Sequence, residues 1–294
     1  MKTLLKGLQY ALLLLLAVAA YGSDKPSLKV DLVLPVDNAS LRQLASEIAS
    51  PSDYQLQVYI NELPDPTQAG DVLLLVSDGL LPMINSTHYP AKLALYANSV
   101  RFSPYRAGNA SAVYSDQPIA RQIKLIDAIL KGKPARIAMA WESPSYHQQL
   151  HQLTDQYPQY QFNSEQIPAD GSASQRKLNR LIQRSDVLLA TPEQNLYNAA
   201  TIRGVLLATY RHQNFLIGPN AGFVSAGALA SVVSKPSDYA TEAKAMINHY
   251  RDHGRLPMAR YPQRYSITIN RNVADSLGLV IDDEQSLLNT LRGQ

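Results

Sequence analysis

Asp37-Asn38-Ala39-Ser40, Ser77-Asp78-Gly79, Asn98-Ser99, Glu142-Ser143-Pro144-Ser145-Tyr146, Thr191-Pro192-Glu193-Gln194 and Asn220-Ala221-Gly222 have one thing in common: each stands at or just past the end of a short apolar run. Hydroxyls, amides and a few carboxylates collected in this way hydrogen-bond rather than react. They suit a small polar or zwitterionic ligand. Its carboxylate would take hydroxyl, amide and helix N-terminal N–H donors, and its ammonium would pair with Asp78 or Glu193. The same residue types also cap helices, so each position has a structural role open to it beside the binding one. Trp141 is the single tryptophan and ends an apolar run; it reads either as a platform for a ligand ring or as core packing. The candidate ligand-binding set is Asn38, Ser40, Ser77, Asp78, Trp141, Ser143, Ser145, Tyr146, Thr191, Glu193 and Asn220.

Other chemistries find less support. His147 and His151 are four apart in "HQQLH", and His249 and His253 repeat the spacing in "HYRDH". Neither pair has the glutamate that follows the first histidine in zinc peptidases, nor a third ligand at evident spacing, so both read as solvated helix faces and no metal is expected. The chain has no glycine-rich phosphate loop, no Gly-x-Ser-x-Gly elbow and no paired cysteines, which points away from an enzyme and from any cofactor. A net charge of +3 and a charged fraction of 17% leave no concentrated basic face for nucleic acid.

Positioning these clusters requires strands that end where they begin. Strand-like runs occur at 29–36, 54–60, 71–77, 91–97, 135–141, 160–167, 185–191, 214–218 and 229–234. Several are apolar on both faces, as buried parallel strands are. Between them lie segments of helical period such as "ARQIKLIDAILKGK", with Gly132 offering a stop. Repeated strand–helix–strand units predict an α/β protein with two doubly wound parallel sheets and right-handed crossovers. A break is expected at "GNASAVYSDQP", 108–118. A long helix is expected from Pro236 and Ser237, then a last strand and short helix in "YSITINRNVADSLGL". In "IGPNAGFVSAGAL", 217–229, the small residues after the Pro219-Asn220 turn let a helix pack close to its sheet.

The N-terminus carries its own signal. Lys2 and Lys6 precede an unbroken apolar run of ten from Ala11 to Ala20, followed by Tyr21-Gly22. This is the layout of a secretory leader, 1–22, too short to span a bilayer and cleaved near Gly22; an uncleaved anchor is the other reading. The absence of cysteine excludes a disulfide framework and lipid attachment through a thiol, so a periplasmic protein that is not a lipoprotein is expected.

The segments "SDQPIARQIKLIDAILKGKPARIAMAWES", "SDVLLATPEQNLYNAATIRGVLLA", "GPNAGFVSAGALASVVSKPSDYATEAKAMI" and "YSITINRNVADSLGL", in this order, resemble the ABC-transporter substrate-binding family of the type I periplasmic-binding-protein fold, the group that includes tryptophan- and tyrosine-binding lipoproteins. The resemblance covers a little over half the chain. It implies two lobes joined by a three-strand hinge: 29–114 plus 236–260, and 115–235 plus 261–294. It carries the binding role onto Ser143, Ser145, Thr191 and Asn220. Its partners would be a small-molecule ligand and either an ABC permease or, for a sensory or scaffolding relative, a membrane signalling protein. Two departures stand out. Only Leu63 to Gly70 separates the second strand from the third, too little for a crossover helix, and Asn220-Ala221 stands where many relatives have an acidic pair.

Overall fold

The computed structural model describes residues 27–293 apart from 51 and 168–171; the expected leader, 1–22, lies outside the described residues. The first sheet is built from β1 (Leu28–Leu34), β2 (Tyr54–Ile60), β3 (Val72–Val76), β4 (Ala91–Ala97) and β5 (Ala110–Tyr114), in the order β2-β1-β3-β4-β5 with all neighbours parallel. Its central β3, Val-Leu-Leu-Leu-Val, is buried along its whole length. Two apolar layers explain this: Val72 and Leu74 pack on one face, Leu73 and Leu75 on the other. α1 (Ala39–Ala49) covers the first face, while the opposite face is closed by a 3-10 segment, Asp78–Asn85, through Leu80, Leu81 and Ile84. Between β2 and β3 the chain makes only a short 3-10 turn, Pro66–Gln68, in keeping with the abbreviated lobe expected there.

A short helix, α2 (Ser99–Phe102), follows β4. β5 is a correction to the sequence reading, which treats 108–118 as a break. "ASAVY" is short and rich in small residues, so its apolar signal is weak. Pairing with β4 on one side and an isolated bridge from Val113 to Arg260 on the other make it a strand.

The second sheet has the order β11-β10-β9-β8-β6-β7. α3 (Ile119–Leu130) leads to β6 (Ala135–Trp141), α4 (Pro144–His151), β7 (Tyr160–Gln166), α5 (Ser172–Gln183) and β8 (Val187–Leu189). α3 stops at Lys131, left-handed at φ 52°, one residue before the expected Gly132. α6 (Ile202–Arg211), β9 (Phe215–Ile217), α7 (Ala221–Ala226) and β10 (Ala230–Val233) complete the parallel part. The chain then leaves for α8 (Pro236–His253), whose Tyr239, Ala243, Met246 and Ile247 pack on the first sheet. It returns as β11 (Ser266–Ile269), antiparallel to β10, followed by α9 (Arg271–Ser276) and α10 (Glu284–Arg292). Helices cover both faces of this sheet, α3 and α10 on one and α5 and α6 on the other. The result is two mainly parallel, doubly wound α/β lobes.

The chain passes between the lobes three times, near Ser115–Pro118, at Ser234–Lys235 and near Tyr261–Tyr265. One hydroxyl ties the three passages together. Ser234 Oγ accepts from Gln117 Nε2 at 3.0 Å and donates to the Arg264 carbonyl at 3.0 Å. Beside it the Arg260 guanidinium pairs with Glu242 at 2.7 Å, and the second Glu242 oxygen accepts from Gln263 N at 2.8 Å.

Candidate functional site

The carboxyl ends of the strands in both sheets face a cavity of about 410 Å³ between the lobes. The first lobe supplies Asp78 after β3, Asn98 after β4, Tyr96 and Tyr239; the second supplies Thr191 after β8, Pro219–Phe223 after β9 and Tyr197. Ser115, Asp116, Gln117 and Ser234 from the passages close one side. A side chamber of about 280 Å³, which shares Asp78, Asn98, Pro192 and Gln194 with the main cavity, adds Arg101, Ser143, Tyr146 and Glu193.

Close approach at β9 follows from Gly218. A Cβ there would lie 2.5 Å from Phe223 Cβ, so glycine is what lets α7 fold down directly after the strand and bring Phe223 to the cavity. On the first lobe, β4 carries a register shift between Leu95 and Ala97, with Tyr96 left-handed at φ 56°. A bulge of this kind re-aims a side chain that a regular strand would send elsewhere. The Tyr96 ring stacks on Tyr239, centroids 3.9 Å apart, and across the cavity Tyr197 meets Phe223 edge-on at 6.4 Å. The buried hydroxyl of Tyr197 has no hydrogen-bond partner.

Electrostatics of the site are set by carboxylates. Asp116 is buried, accepting from Ser99 N at 2.7 Å and Ser99 Oγ at 2.6 Å, and burial pushes its carboxyl up to about 6 in spite of those donors. Asp78 accepts from Asn98 N at 2.7 Å, with Arg101 at 3.8 Å; burial raises it as well. Between the lobes, Asn98 Nδ2 donates to the buried Tyr146 hydroxyl at 2.9 Å.

The sequence-derived candidates fall into three groups. Asp78, Thr191 and Asn220 line the main cavity, and Ser143, Tyr146 and Glu193 line the side chamber. Glu193 is committed internally: its carboxylate accepts from Ser143 N at 2.6 Å, Glu142 N at 3.0 Å and Thr191 Oγ1 at 2.8 Å, so it holds the turn ahead of α4 rather than waiting for an ammonium. Asn38, Ser40, Ser77, Ser145 and Trp141 line neither chamber. Asn38 caps α1 through Leu41 N at 2.9 Å, with Ser40 exposed in its first turn. Ser77 accepts from Gly79 N at 3.1 Å and holds a φ of 118° that costs a non-glycine residue strain. Ser145 lines a separate groove with Tyr114 and Tyr261. Trp141 stacks on His147 at 4.9 Å and packs on the second lobe's core, so the packing reading describes its place and the platform reading does not.

Several cavity residues were outside the sequence-derived set. Asp116 and Gln117 follow β5, and recognising "ASAVY" as a strand would have put them at its carboxyl end. Tyr96 depends on a bulge, and Tyr197 and Tyr239 lie in a loop and a helix, where no sequence pattern marks them.

No family model matches the sequence, and no curated protein matches it. Solved structures do match. A substrate-binding protein with adhesive properties from Clostridium difficile, in its ligand-free open form, superimposes with a TM-score of 0.68 at 12% identity, over 88% of this chain and 97% of that one. A conserved domain protein from Vibrio cholerae gives 0.60 at 14% identity, over 90% and 98%. The fold is that of the type I periplasmic binding proteins. An ABC domain from Streptococcus pneumonia in complex with L-Trp gives 0.59 at 14% identity, again over 90% and 98%. At such identities the likeness extends to the two-lobed periplasmic-binding-protein fold, and the resemblance read from the sequence holds at that level.

Proposed function

We propose that this chain is an exported solute-binding protein that captures a small molecule between its lobes, 29–114 plus 236–260 and 115–235 plus 261–294, and presents it to an ABC permease. One observation carries the reading. The cavity lies beyond the carboxyl ends of the strands of both sheets, and both lobes and the hinge line it, so a bound solute favours the closed form by its differential affinity. Its volume is in the range of small-ligand sites, and the structural neighbour solved with L-Trp has the same fold. Among the described residues no helix is long and apolar enough to cross a membrane, which fits a protein working in the periplasm once its leader is removed. The binding residues we assign are Asp78, Asn98, Asp116, Thr191 and Asn220, with Tyr96, Tyr239, Tyr197 and Phe223 as the apolar walls.

The test is a thermal-shift screen of the purified protein against amino acids, amines, nucleobases and monosaccharides, followed by small-angle scattering. A ligand at about 100 times its dissociation constant adds about 2.7 kcal/mol to stability, and closure reduces the radius of gyration. A protein that neither gains stability nor compacts with any compound would not be a solute receptor.

A further inference from the structure

The main cavity is lined by carboxylates and by no cationic side chain. An anionic group needs N–H donors or a cationic side chain, and several N–H groups near the cleft are already engaged. Asn98 Oδ1 accepts from Val100 N and Arg101 N at 3.0 and 3.2 Å, Asn220 Oδ1 from Phe223 N at 3.3 Å, and the Glu193 carboxylate from Ser143 N at 2.6 Å. No lysine, arginine or histidine lines the main cavity, while two carboxylates, Asp78 and Asp116, do. Arg101 stands 3.8 Å from Asp78. Among the described residues Asp116 has no ion-pair partner, although it is buried. A buried carboxylate held only by neutral donors is incompletely compensated, and a cation in the cavity would supply the missing charge.

The walls point the same way. Tyr96 and Tyr239 on one lobe and Tyr197 and Phe223 on the other enclose the space with aromatic groups. Aromatic faces attract an ammonium through the ring quadrupole and also pack on a flat ring. The unpartnered, buried Tyr197 hydroxyl is a polar group at the same cavity for which the protein itself offers no mate.

Resting on the solute-receptor reading above, we propose that the ligand is an organic monocation bearing a ring, a protonated aromatic or cyclic amine without a carboxylate, with Asp116 as its principal counter-ion and the four aromatic side chains as its enclosure. A zwitterion is disfavoured because its carboxylate would enter a cavity lined by two carboxylates and by no lysine, arginine or histidine.

Four phenols whose side chains carry an ammonium, a hydroxyl, both an ammonium and a carboxylate, or a carboxylate separate the possibilities: tyramine, tyrosol, tyrosine and para-hydroxyphenylacetate, titrated calorimetrically at neutral pH beside D-allose. Tyramine should bind roughly tenfold or more tightly than tyrosol, and tyrosine and para-hydroxyphenylacetate more weakly than tyrosol. In the Asp116→Asn variant the preference for tyramine over tyrosol should collapse; Asp78→Asn provides a second variant should the first fold poorly. Tighter binding of tyrosine, para-hydroxyphenylacetate or D-allose than of tyramine overturns the charge assignment and leaves the receptor reading standing. Silence toward all five compounds overturns the ligand class, and only silence toward the broader screen as well overturns the receptor reading.

Discussion

Asp116 makes the stability of the ligand-free protein depend on pH in an uncommon direction. Its carboxyl is raised in the folded state from 3.8 to about 6, with burial as the largest cause. The folded protein therefore holds the proton more tightly than the unfolded chain. The stability this contributes is fully present below pH 3.8 and is lost as pH rises through about 6. A shift of about two units at about 1.4 kcal/mol each amounts to about 3 kcal/mol. Solvent screening calls for little discount, since the side chain is 2% exposed. Other carboxylates titrate with the opposite sign, Asp186 being held low by Arg136, so the comparison has to be internal. Urea unfolding of the parent and of Asp116→Asn, measured in steps from about pH 4 to about pH 7.5, isolates the group because the asparagine is neutral throughout. The parent should lose about 3 kcal/mol relative to the variant across that interval and run parallel to it above it. A constant difference, or one that favours the parent as pH rises, would refute the placement of Asp116 as a buried and uncompensated acid.

Gly218→Ala should destabilise by about 1–3 kcal/mol, because the new methyl meets Phe223 Cβ at 2.5 Å and α7 has to move; an unchanged urea midpoint would show that α7 does not sit on the strand end as described. Tyr146→Phe leaves a buried Asn98 N–H without the acceptor it has at 2.9 Å and should cost about 1–3 kcal/mol, read in the same assay; a variant as stable as the parent would deny that cross-lobe bond. Trp141 stacks on His147 and lines neither chamber, so its emission should stay constant while a ligand detected by calorimetry saturates the protein. A shift in emission that tracks occupancy would put Trp141 at the cleft after all.

Strand order along the chain, the α/β class and the long helix α8 were legible in the sequence because each rests on local periodicity: continuous apolar runs for buried strands, a 3.6-residue stripe for helices. The runs at 54–60, 91–97 and 135–141 coincide with β2, β4 and β6. The clusters beyond strand ends were also legible, and Asp78, Thr191 and Asn220 do reach the cavity. Capping and lining use the same residue types, however, so composition could not say that Asn38 is spent on a helix N-terminus and Glu193 on the backbone turn ahead of α4. The tertiary structure decided the rest through long-range contacts. Pairing with β4 turned a weak "ASAVY" segment into a strand and set Asp116 at its end, a bulge re-aimed Tyr96, and the return of α8 to the first sheet brought Tyr239 against it, 143 positions later in the chain. A charge-bearing, ring-walled cavity depends on that assembly, since its members come from both lobes and the hinge and share no local pattern.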